Sequence, residues 1–180
     1  MTRKPTVIEL PDQVTDVDFA AWRRHGIKLI CLDVDSTLTS FNGSFIEPHV
    51  VEAIKTAAKN GMRFVLLTNN IFGWRLRAMQ KTLGGTSVVE AIYNPKYLFD
   101  RKPGILMLRR LQKELQLESS QIGVIGDTYV SDVQTALRMG VARVAWIVGY
   151  PRNDLYFRLF IGPREAKQRR RLAVEQAKKS

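Results

Sequence analysis

The sequence IKLICLDVDST, residues 27–37, decides the fold because it joins an apolar run to two closely spaced carboxylates. The run over 27–33 predicts a buried strand. Asp33 and Asp35 come at its carboxyl end, where open α/β sheets carry their reactive groups. Like charges held this close repel each other, and Mg²⁺, which prefers oxygen ligands, would offset the repulsion. The stretch therefore predicts a central strand of an α/β sheet with an acidic site at its end.

Length and composition favour one globular domain. The chain has 180 residues, 45% hydrophobic and 25% charged, so we expect a single domain over 1–180. The single cysteine, Cys31, excludes an intrachain disulfide and favours a reducing, cytoplasmic compartment. No segment reaches the roughly 20 apolar residues of a transmembrane helix, and no signal core follows the basic N-terminus.

The charge of the chain is unusual. Lys and Arg number 28 against 17 Asp and Glu, a net charge of +11. Residues 151–180 alone hold nine basic and three acidic residues. Such a field attracts nucleic acid, an anionic lipid surface or phosphorylated ligands. The alternative is a solvated tail that only aids solubility.

Strand-like runs alternate with helix-like segments, which is typical of βαβ units and a doubly wound, mostly parallel sheet. The predicted strands are 27–33, 63–67, 88–92, 122–126 and 143–148, and the predicted helices between them are 48–60, 72–83, 104–116 and 129–139. Residues 1–26 are expected to form an N-terminal arm, and 163–180 a basic C-terminal helix. Asn42-Gly43 is a hairpin signal that predicts a short β-flap.

Polar groups follow the first, second and fourth predicted strands, and a lysine precedes the third crossover helix. These residues are Asp33, Asp35, Thr68, Asn69, Asn70, Lys102, Asp127 and Asp132. Parallel strands place their carboxyl ends along one edge, so we expect the set to meet there. Strand ends and helix caps also favour Asp, Thr and Asn, so a purely structural role is the alternative.

The set suits phosphoryl transfer, without a P-loop or a nucleotide signature. One Asp can attack phosphorus and form an aspartyl-phosphate, while a second protonates the leaving oxygen and later activates water. Thr68 can donate to a phosphoryl oxygen, and Lys102 can neutralise its charge. Asp127 can coordinate Mg²⁺, with Asp132 ligating it directly or through water.

The motifs Asp33-x-Asp35-x-Thr37, Thr68, Lys102 and Gly126-Asp127…Asp132 resemble, in order, the four signatures of the haloacid dehalogenase (HAD) superfamily. The resemblance implies a Rossmann-like HAD domain in which Asp33 is the nucleophile and Asp35 the general acid/base. It implies that Asp33, the Asp35 carbonyl and Asp127 ligate Mg²⁺, and that Thr68 and Lys102 hold the phosphoryl group. An Asp at position 35 is typical of the phosphatases and phosphotransferases of that superfamily.

The spacing leaves no room for the cap domain that members acting on small metabolites usually carry. The segment from Asp35 to Pro48 fits only a hairpin, and the segment from Asn70 to Lys102 fits one helix and one strand. We therefore expect an open site, suited to a protein, a nucleic-acid end or a lipid headgroup. Asn69 and Asn70 are expected to contact the substrate. Trp74 and Arg75 can line the mouth of the site, and for Trp74 a helix packing face is the alternative.

A closer resemblance covers residues 10–172, to the YqeG-type, class IIIA HAD phosphatases, which are similar to phosphatidylglycerophosphate phosphatases. It is carried by Gly26-Ile27-Lys28, Thr68-Asn69-Asn70, Arg101-Lys102-Pro103, the 126–133 segment and the 10–18 arm. Ser36 departs from the usual Asn, and Thr68 replaces a common Ser. The likeness implies that the substrate is phosphatidylglycerophosphate. The alternatives are a soluble sugar, nucleotide, nucleic-acid-end or protein phosphoester.

The aromatic run 155–161, next to the basic helix, is compatible with two roles. It can lie on an anionic bilayer, which would place the protein at the inner face of the membrane. It can instead pack on the sheet edge as core. A third hypothesis for the whole chain is a non-enzymatic basic module that binds RNA or membrane, against which the intact set of Asp33, Asp35, Lys102 and Asp127 argues.

Overall fold

The computed structural model describes residues 6–150 and 157–177. Six strands form one parallel sheet in the order β1-β6-β5-β2-β3-β4. The strands are β1 (Val7–Glu9), β2 (Leu29–Leu32), β3 (Arg63–Leu67), β4 (Val89–Tyr93), β5 (Ile122–Gly126) and β6 (Arg143–Trp146). The helices are α1 (Phe19–Arg24), α2 (Pro48–Lys59), α3 (Gly73–Thr82), α4 (Leu106–Leu115), α5 (Gln134–Met139) and α6 (Gly162–Ala177). The predicted doubly wound α/β fold is confirmed.

The central strand β2 has helices on both faces, which is why its sequence is apolar throughout. All four of its residues are fully buried. Ile30 and Leu32 belong to a core formed with α1, α2 and α3, whereas Leu29 and Cys31 belong to a core formed with α4 and α5. Burial raises the pKa of the Cys31 thiol, so the side chain packs as a small protonated hydrophobe.

The N-terminal arm is part of the domain. Strand β1 pairs with β6 in parallel, with Val7 opposite Arg143, and forms one edge of the sheet. Helix α1 begins after Asp18, whose Oδ1 accepts a hydrogen bond from the Ala21 amide at 2.7 Å. Three strand residues and six helical residues are too few to show a periodic pattern, so the sequence predicts only an arm here.

The flap after β2 differs in detail from the predicted β-hairpin. Within the described chain, residues 36–42 form turns and a bend, with one isolated parallel bridge between Asp35 and Thr39, and residues 43–47 have no regular secondary structure. Asn42 does turn the chain, at a φ of 57°, a left-handed conformation that Asn tolerates well. The segment also contains no inserted cap domain, so the site beside it is open.

The C-terminal segment is helical, as predicted. Residues Phe157–Ile161 form a π-helical turn that leads into α6. Leu159 and Phe160 are each more than half exposed, so these two side chains do not pack as core. Residues 155 and 156 of the predicted aromatic run, and the last three residues of the predicted helix, lie outside the described residues. In the described ranges, no helix is long and apolar enough to cross a membrane.

Candidate active site

The carboxyl ends of β2, β3 and β5 meet at one edge of the sheet and surround a cleft of about 420 Å³. All the predicted site residues except Asp132 line it, and Asp132 lies buried beside Lys102. The lining residues are Asp33, Asp35, Phe41, Asn42, Thr68, Asn69, Asn70, Ile71, Phe72, Arg101, Lys102, Asp127, Thr128 and Ser131. A larger groove of about 960 Å³ between α1 and α2 contains none of the predicted site residues.

The ammonium group of Lys102 is at the centre of the site. Its Nζ donates to Asp33 Oδ1 at 2.6 Å, to Asp132 Oδ1 at 2.5 Å and to the Leu67 carbonyl at 2.8 Å. Burial acts to lower the pKa of Lys102, but the two carboxylates outweigh it and hold that pKa above its ordinary value. Lys102 is therefore a permanent cation, held between two buried anions.

Asp33 is buried at the floor of the cleft. Its Oδ2 accepts a hydrogen bond from Thr37 Oγ1 at 3.3 Å. Burial raises the pKa of Asp33 to about 6; the Lys102 charge opposes this rise and the Asp132 charge adds to it. A carboxylate that lies in a solvent-accessible cleft but has lost most of its hydration is suited to act as a nucleophile.

The carboxylates at this edge fit a divalent cation. Oxygen atoms of Asp33, Asp127 and Asp132 all lie within 4.8 Å of one another, and hard oxygen ligands are those that Mg²⁺ prefers. Such an ion would supply positive charge to a bound phosphoryl group. Asp33 and Asp127 are the residues that would hold it from the cleft.

Both oxygens of Asp132 are already engaged by the protein. While Oδ1 accepts from Lys102, Oδ2 accepts from the Thr128 amide at 3.2 Å and from Thr128 Oγ1 at 2.8 Å. A Cβ on Gly126 would overlap the Asp132 carboxyl group, so only glycine fits there. Because both oxygens already have partners, this arrangement favours contact of Asp132 with the metal through water over direct ligation.

Asp35 is held by Arg75, which was predicted to line the mouth of the site but not to pair with this carboxylate. The guanidinium of Arg75 donates to Asp35 Oδ1 at 2.7 Å and to Oδ2 at 3.3 Å, and its Nε donates to the Gly43 carbonyl at 2.8 Å. The Arg75 side chain is almost fully buried. A buried arginine requires an anionic partner. The position of Arg75 on the packing face of α3 is therefore the sequence feature that could have indicated this ion pair.

Thr68, Asn69 and Asn70 connect the parts of the site. Asn69 forms two hydrogen bonds with the Lys102 backbone, donating to its carbonyl at 3.0 Å and accepting from its amide at 2.7 Å. Asn70 Nδ2 donates to Asp35 Oδ2 at 3.0 Å, and Thr68 Oγ1 accepts from the Asn70 amide at 3.1 Å. These contacts favour positioning roles for the two asparagines, beside the substrate contacts predicted for them.

The basic C-terminal helix is attached to the Asp132 loop, which is a π-helical turn over Tyr129–Val133. The Glu165 carboxylate accepts hydrogen bonds from the Tyr129 amide at 2.6 Å and the Val130 amide at 3.2 Å. Burial raises the pKa of Glu165, while these two hydrogen bonds oppose the rise. The Arg169 guanidinium lies 4.4 Å from the ring centre of Trp146. This attachment was not predicted. The sequence feature that could have indicated it is Glu165, an acidic residue within a basic helix.

Several solved structures share this fold. An uncharacterized protein from Listeria monocytogenes serotype 4b is 16% identical with a TM-score of 0.58; 72% of this chain and 86% of that chain are covered. The D,D-heptose 1,7-bisphosphate phosphatase from B. bronchiseptica, complexed with magnesium and phosphate, is 24% identical with a TM-score of 0.54; 65% of this chain and 79% of that chain are covered. A haloacid dehalogenase-like hydrolase from Streptococcus pneumoniae is 14% identical with a TM-score of 0.53, covering 67% and 84%. At these identities the likeness concerns the fold alone.

Comparison with curated protein sequences gives no match. The sequence profile of the haloacid dehalogenase-like hydrolases, in contrast, matches residues 25–146, about two thirds of the chain. The match begins just before β2 and ends with β6, so it contains every carboxylate of the site together with Lys102. The closer likeness to class IIIA phosphatases stays a prediction. On this match and this geometry, the chain belongs to the haloacid dehalogenase-like hydrolase family.

Proposed function

We propose that this protein is a Mg²⁺-dependent phosphomonoesterase that works through an aspartyl-phosphate on Asp33. The observation that carries the proposal is the buried cluster of Asp33, Lys102 and Asp132 at the floor of an open cleft. A carboxylate oxygen of Asp33 bonds to phosphorus as the bond to the leaving oxygen breaks, and that oxygen takes a proton from Asp35. Water then attacks phosphorus, releasing phosphate and restoring the Asp33 carboxylate.

The contacts of the other site residues support this division of roles. Lys102 lies 2.6 Å from Asp33 Oδ1, so its charge acts where a phosphoryl group would be transferred. The Thr68 hydroxyl lines the same cleft and is assigned to the phosphoryl oxygens. Arg75 donates to both carboxylate oxygens of Asp35 and so fixes this group at the cleft, where it gives a proton to the leaving oxygen and takes one from the attacking water.

We infer that the substrate is phosphatidylglycerophosphate and the product phosphatidylglycerol. The class IIIA resemblance over residues 10–172 supports this substrate. The open cleft also supports this substrate, because a cleft without a cap domain admits a headgroup that is attached to a bilayer. The net charge of +11 supports binding at an anionic surface, and hence a peripheral location on the inner face of the membrane. A soluble phosphoester is the alternative, and it fits the same open cleft.

The test measures phosphate release in the presence of Mg²⁺ from phosphatidylglycerophosphate in anionic vesicles, and separately from a small aryl phosphate. EDTA and the Asp33→Asn variant are the controls. We expect a strong preference for the lipid and loss of release in both controls. Turnover of the aryl phosphate alone would keep the phosphatase and refute the lipid substrate. Absence of release from both compounds, and from a panel of soluble phosphoesters, would refute the phosphatase.

A further inference from the structure

Large apolar side chains surround the cleft and are exposed to solvent. They lie in three segments, 40–45, 71–77 and 96–101, which follow the adjacent strands β2, β3 and β4. We call them the aromatic rim: Phe41, Phe45, Ile71, Phe72, Trp74, Tyr97 and Phe99. Their exposed fractions run from 43% for Phe41 to 74% for Phe99.

The concentration of these side chains at one edge of the sheet has no explanation in core packing. Of the seven aromatic side chains that are exposed among the described residues, six belong to the aromatic rim and the seventh is Phe160. Tyr97 and Phe99 stack on each other at 5.6 Å, and Phe41 and Phe72 line the cleft itself. Exposed apolar patches of this kind mark surfaces that bind something.

The exposed charges within the three segments are of one sign. Their exposed charged residues are Arg77, Lys96 and Arg101. The one acid in these segments, Asp100, is buried and paired with Arg110 at 3.2 Å. The surface around the cleft is therefore apolar and cationic, and it is complementary to a surface that is apolar beneath an anionic layer.

We propose that the aromatic rim docks on an anionic lipid bilayer, so that the cleft faces the headgroups. The inference rests on the proposed function in one respect, since a lipid substrate presents its phosphate at that depth. Aromatic rings favour the membrane interface, and Lys and Arg are attracted to anionic headgroups. A second copy of the chain fits less well, because two rims would bring like charges together.

Trp74 provides a direct reporter of docking. The chain has three tryptophans, of which Trp22 and Trp146 are buried and Trp74 is 66% exposed. The experiment uses the Asp33→Asn protein and vesicles of phosphatidylcholine with or without phosphatidylglycerol, without any phosphomonoester. We expect the anionic vesicles to shift the Trp74 emission to shorter wavelength, and salt to weaken the effect. A single-stranded oligonucleotide and neutral vesicles should leave the emission unchanged.

Substitutions separate the aromatic rim from the basic C-terminal segment. The pair Phe45→Ser and Phe99→Ser keeps the Trp74 reporter and changes two rings that do not line the cleft. The matched pair Leu159→Ser and Phe160→Ser removes two comparably exposed apolar side chains beside α6. We expect the rim pair to lower vesicle partitioning about tenfold or more, and the matched pair to lower it less than about twofold. Thermal unfolding of each variant checks that it is folded.

Three results would overturn the proposal: no shift of Trp74 emission with anionic vesicles, a shift with the oligonucleotide instead, or wild-type partitioning of a folded rim pair. Because these vesicles contain no substrate, the result is independent of the proposed function. Docking without hydrolysis of phosphatidylglycerophosphate would refute the substrate and support the rim. Hydrolysis is measured in proteins that keep Asp33. If the rim pair in that background hydrolyses the lipid and partitions normally, the substrate is supported and the rim is refuted.

Discussion

The floor of the cleft and its aromatic rim are opposite kinds of surface, although both are built at the carboxyl edge of the same sheet. At the floor, Asp33, Lys102 and Asp132 are buried and bonded to one another. On the rim, Phe45 and Phe99 are among the most exposed apolar side chains of the described chain. The floor holds the residues assigned to phosphoryl transfer, whatever molecule carries the phosphoryl group. The rim is assigned to the surroundings of that group, the lipid bilayer.

Between these two regions, a layer of contacts connects the floor to the loops above it. Asn69 holds the Lys102 backbone, Arg75 joins Asp35 to the flap, and Glu165 holds the loop of Asp132. These residues position others, so changing them should cost less activity than changing the floor. The expected loss of activity or stability therefore decreases from the floor outward.

The largest effect is expected from Asp33→Asn. The amide has nearly the shape of the carboxylate but is a poor nucleophile, so turnover should fall by about 10⁴-fold or more. The unfolding midpoint should be kept, because Lys102 retains Asp132 as a partner. Phosphate release and thermal unfolding are the measurements, with the exposed Asp16→Asn as the matched control. Wild-type turnover in the Asp33→Asn protein would remove the floor from the mechanism.

Lys102→Met should reduce both activity and stability. It leaves the buried carboxylates of Asp33 and Asp132 without their common cation, which should lower the free energy of unfolding by about 3 kcal/mol. Turnover should fall by about 10³-fold. Lys96→Met, at an exposed position of the same loop, is the control and should change the unfolding free energy by less than about 0.5 kcal/mol. Equal effects of the two substitutions in urea unfolding would contradict the central place of Lys102.

Arg75→Ala should reduce turnover by about 10- to 100-fold, because Asp35 loses the contact that holds it against the flap. Arg77→Ala, two residues along α3 and exposed, is the matched control and should keep wild-type turnover of a soluble aryl phosphate, the substrate used for this comparison. The rates are compared well below both unfolding midpoints, and Arg75→Lys should recover part of the loss. Wild-type turnover in a destabilised Arg75→Ala protein would make Arg75 a purely structural residue.

Glu165→Ala should have a smaller effect. Two backbone amides beside the Asp132 loop lose their acceptor, which should cost about 1 to 2 kcal/mol of unfolding free energy. Hydrogen exchange at Tyr129 and Val130 should rise, whereas Lys167→Ala on the exposed face of α6 should leave it unchanged. Unchanged exchange in the Glu165→Ala protein would show that α6 does not hold this loop.

The smallest effect concerns Ser36, which lies between Asp33 and Thr37. Its hydroxyl is buried and has no hydrogen-bond partner among the described residues. Ser36→Ala should therefore leave the free energy of unfolding unchanged or raise it by about 0.5 kcal/mol. A loss of more than about 1 kcal/mol in urea unfolding would indicate that the hydroxyl stabilises the folded state.

The floor was predictable from the sequence because parallel strands bring their carboxyl ends together whatever the loops do. Asp33, Thr68 and Asp127 each directly follow a long apolar run, so their meeting required only the strand order. The contacts of Arg75 and Glu165 depend on how α3 and α6 pack, which local patterns do not determine. The rim was not predictable, because the sequence around Trp74 is equally compatible with a helix packing face. In the structure this side chain is 66% exposed.

The most direct test of the account is to locate the covalent intermediate. Protein quenched during turnover with Mg²⁺ and a phosphomonoester is treated with borohydride, which reduces an aspartyl-phosphate to homoserine, and its peptides are analysed by mass spectrometry. We predict homoserine at position 33, dependent on substrate and Mg²⁺ and absent from the Asp33→Asn protein. Homoserine at another carboxylate, or none from an enzyme that is turning over, would contradict the assignment of Asp33 as the nucleophile.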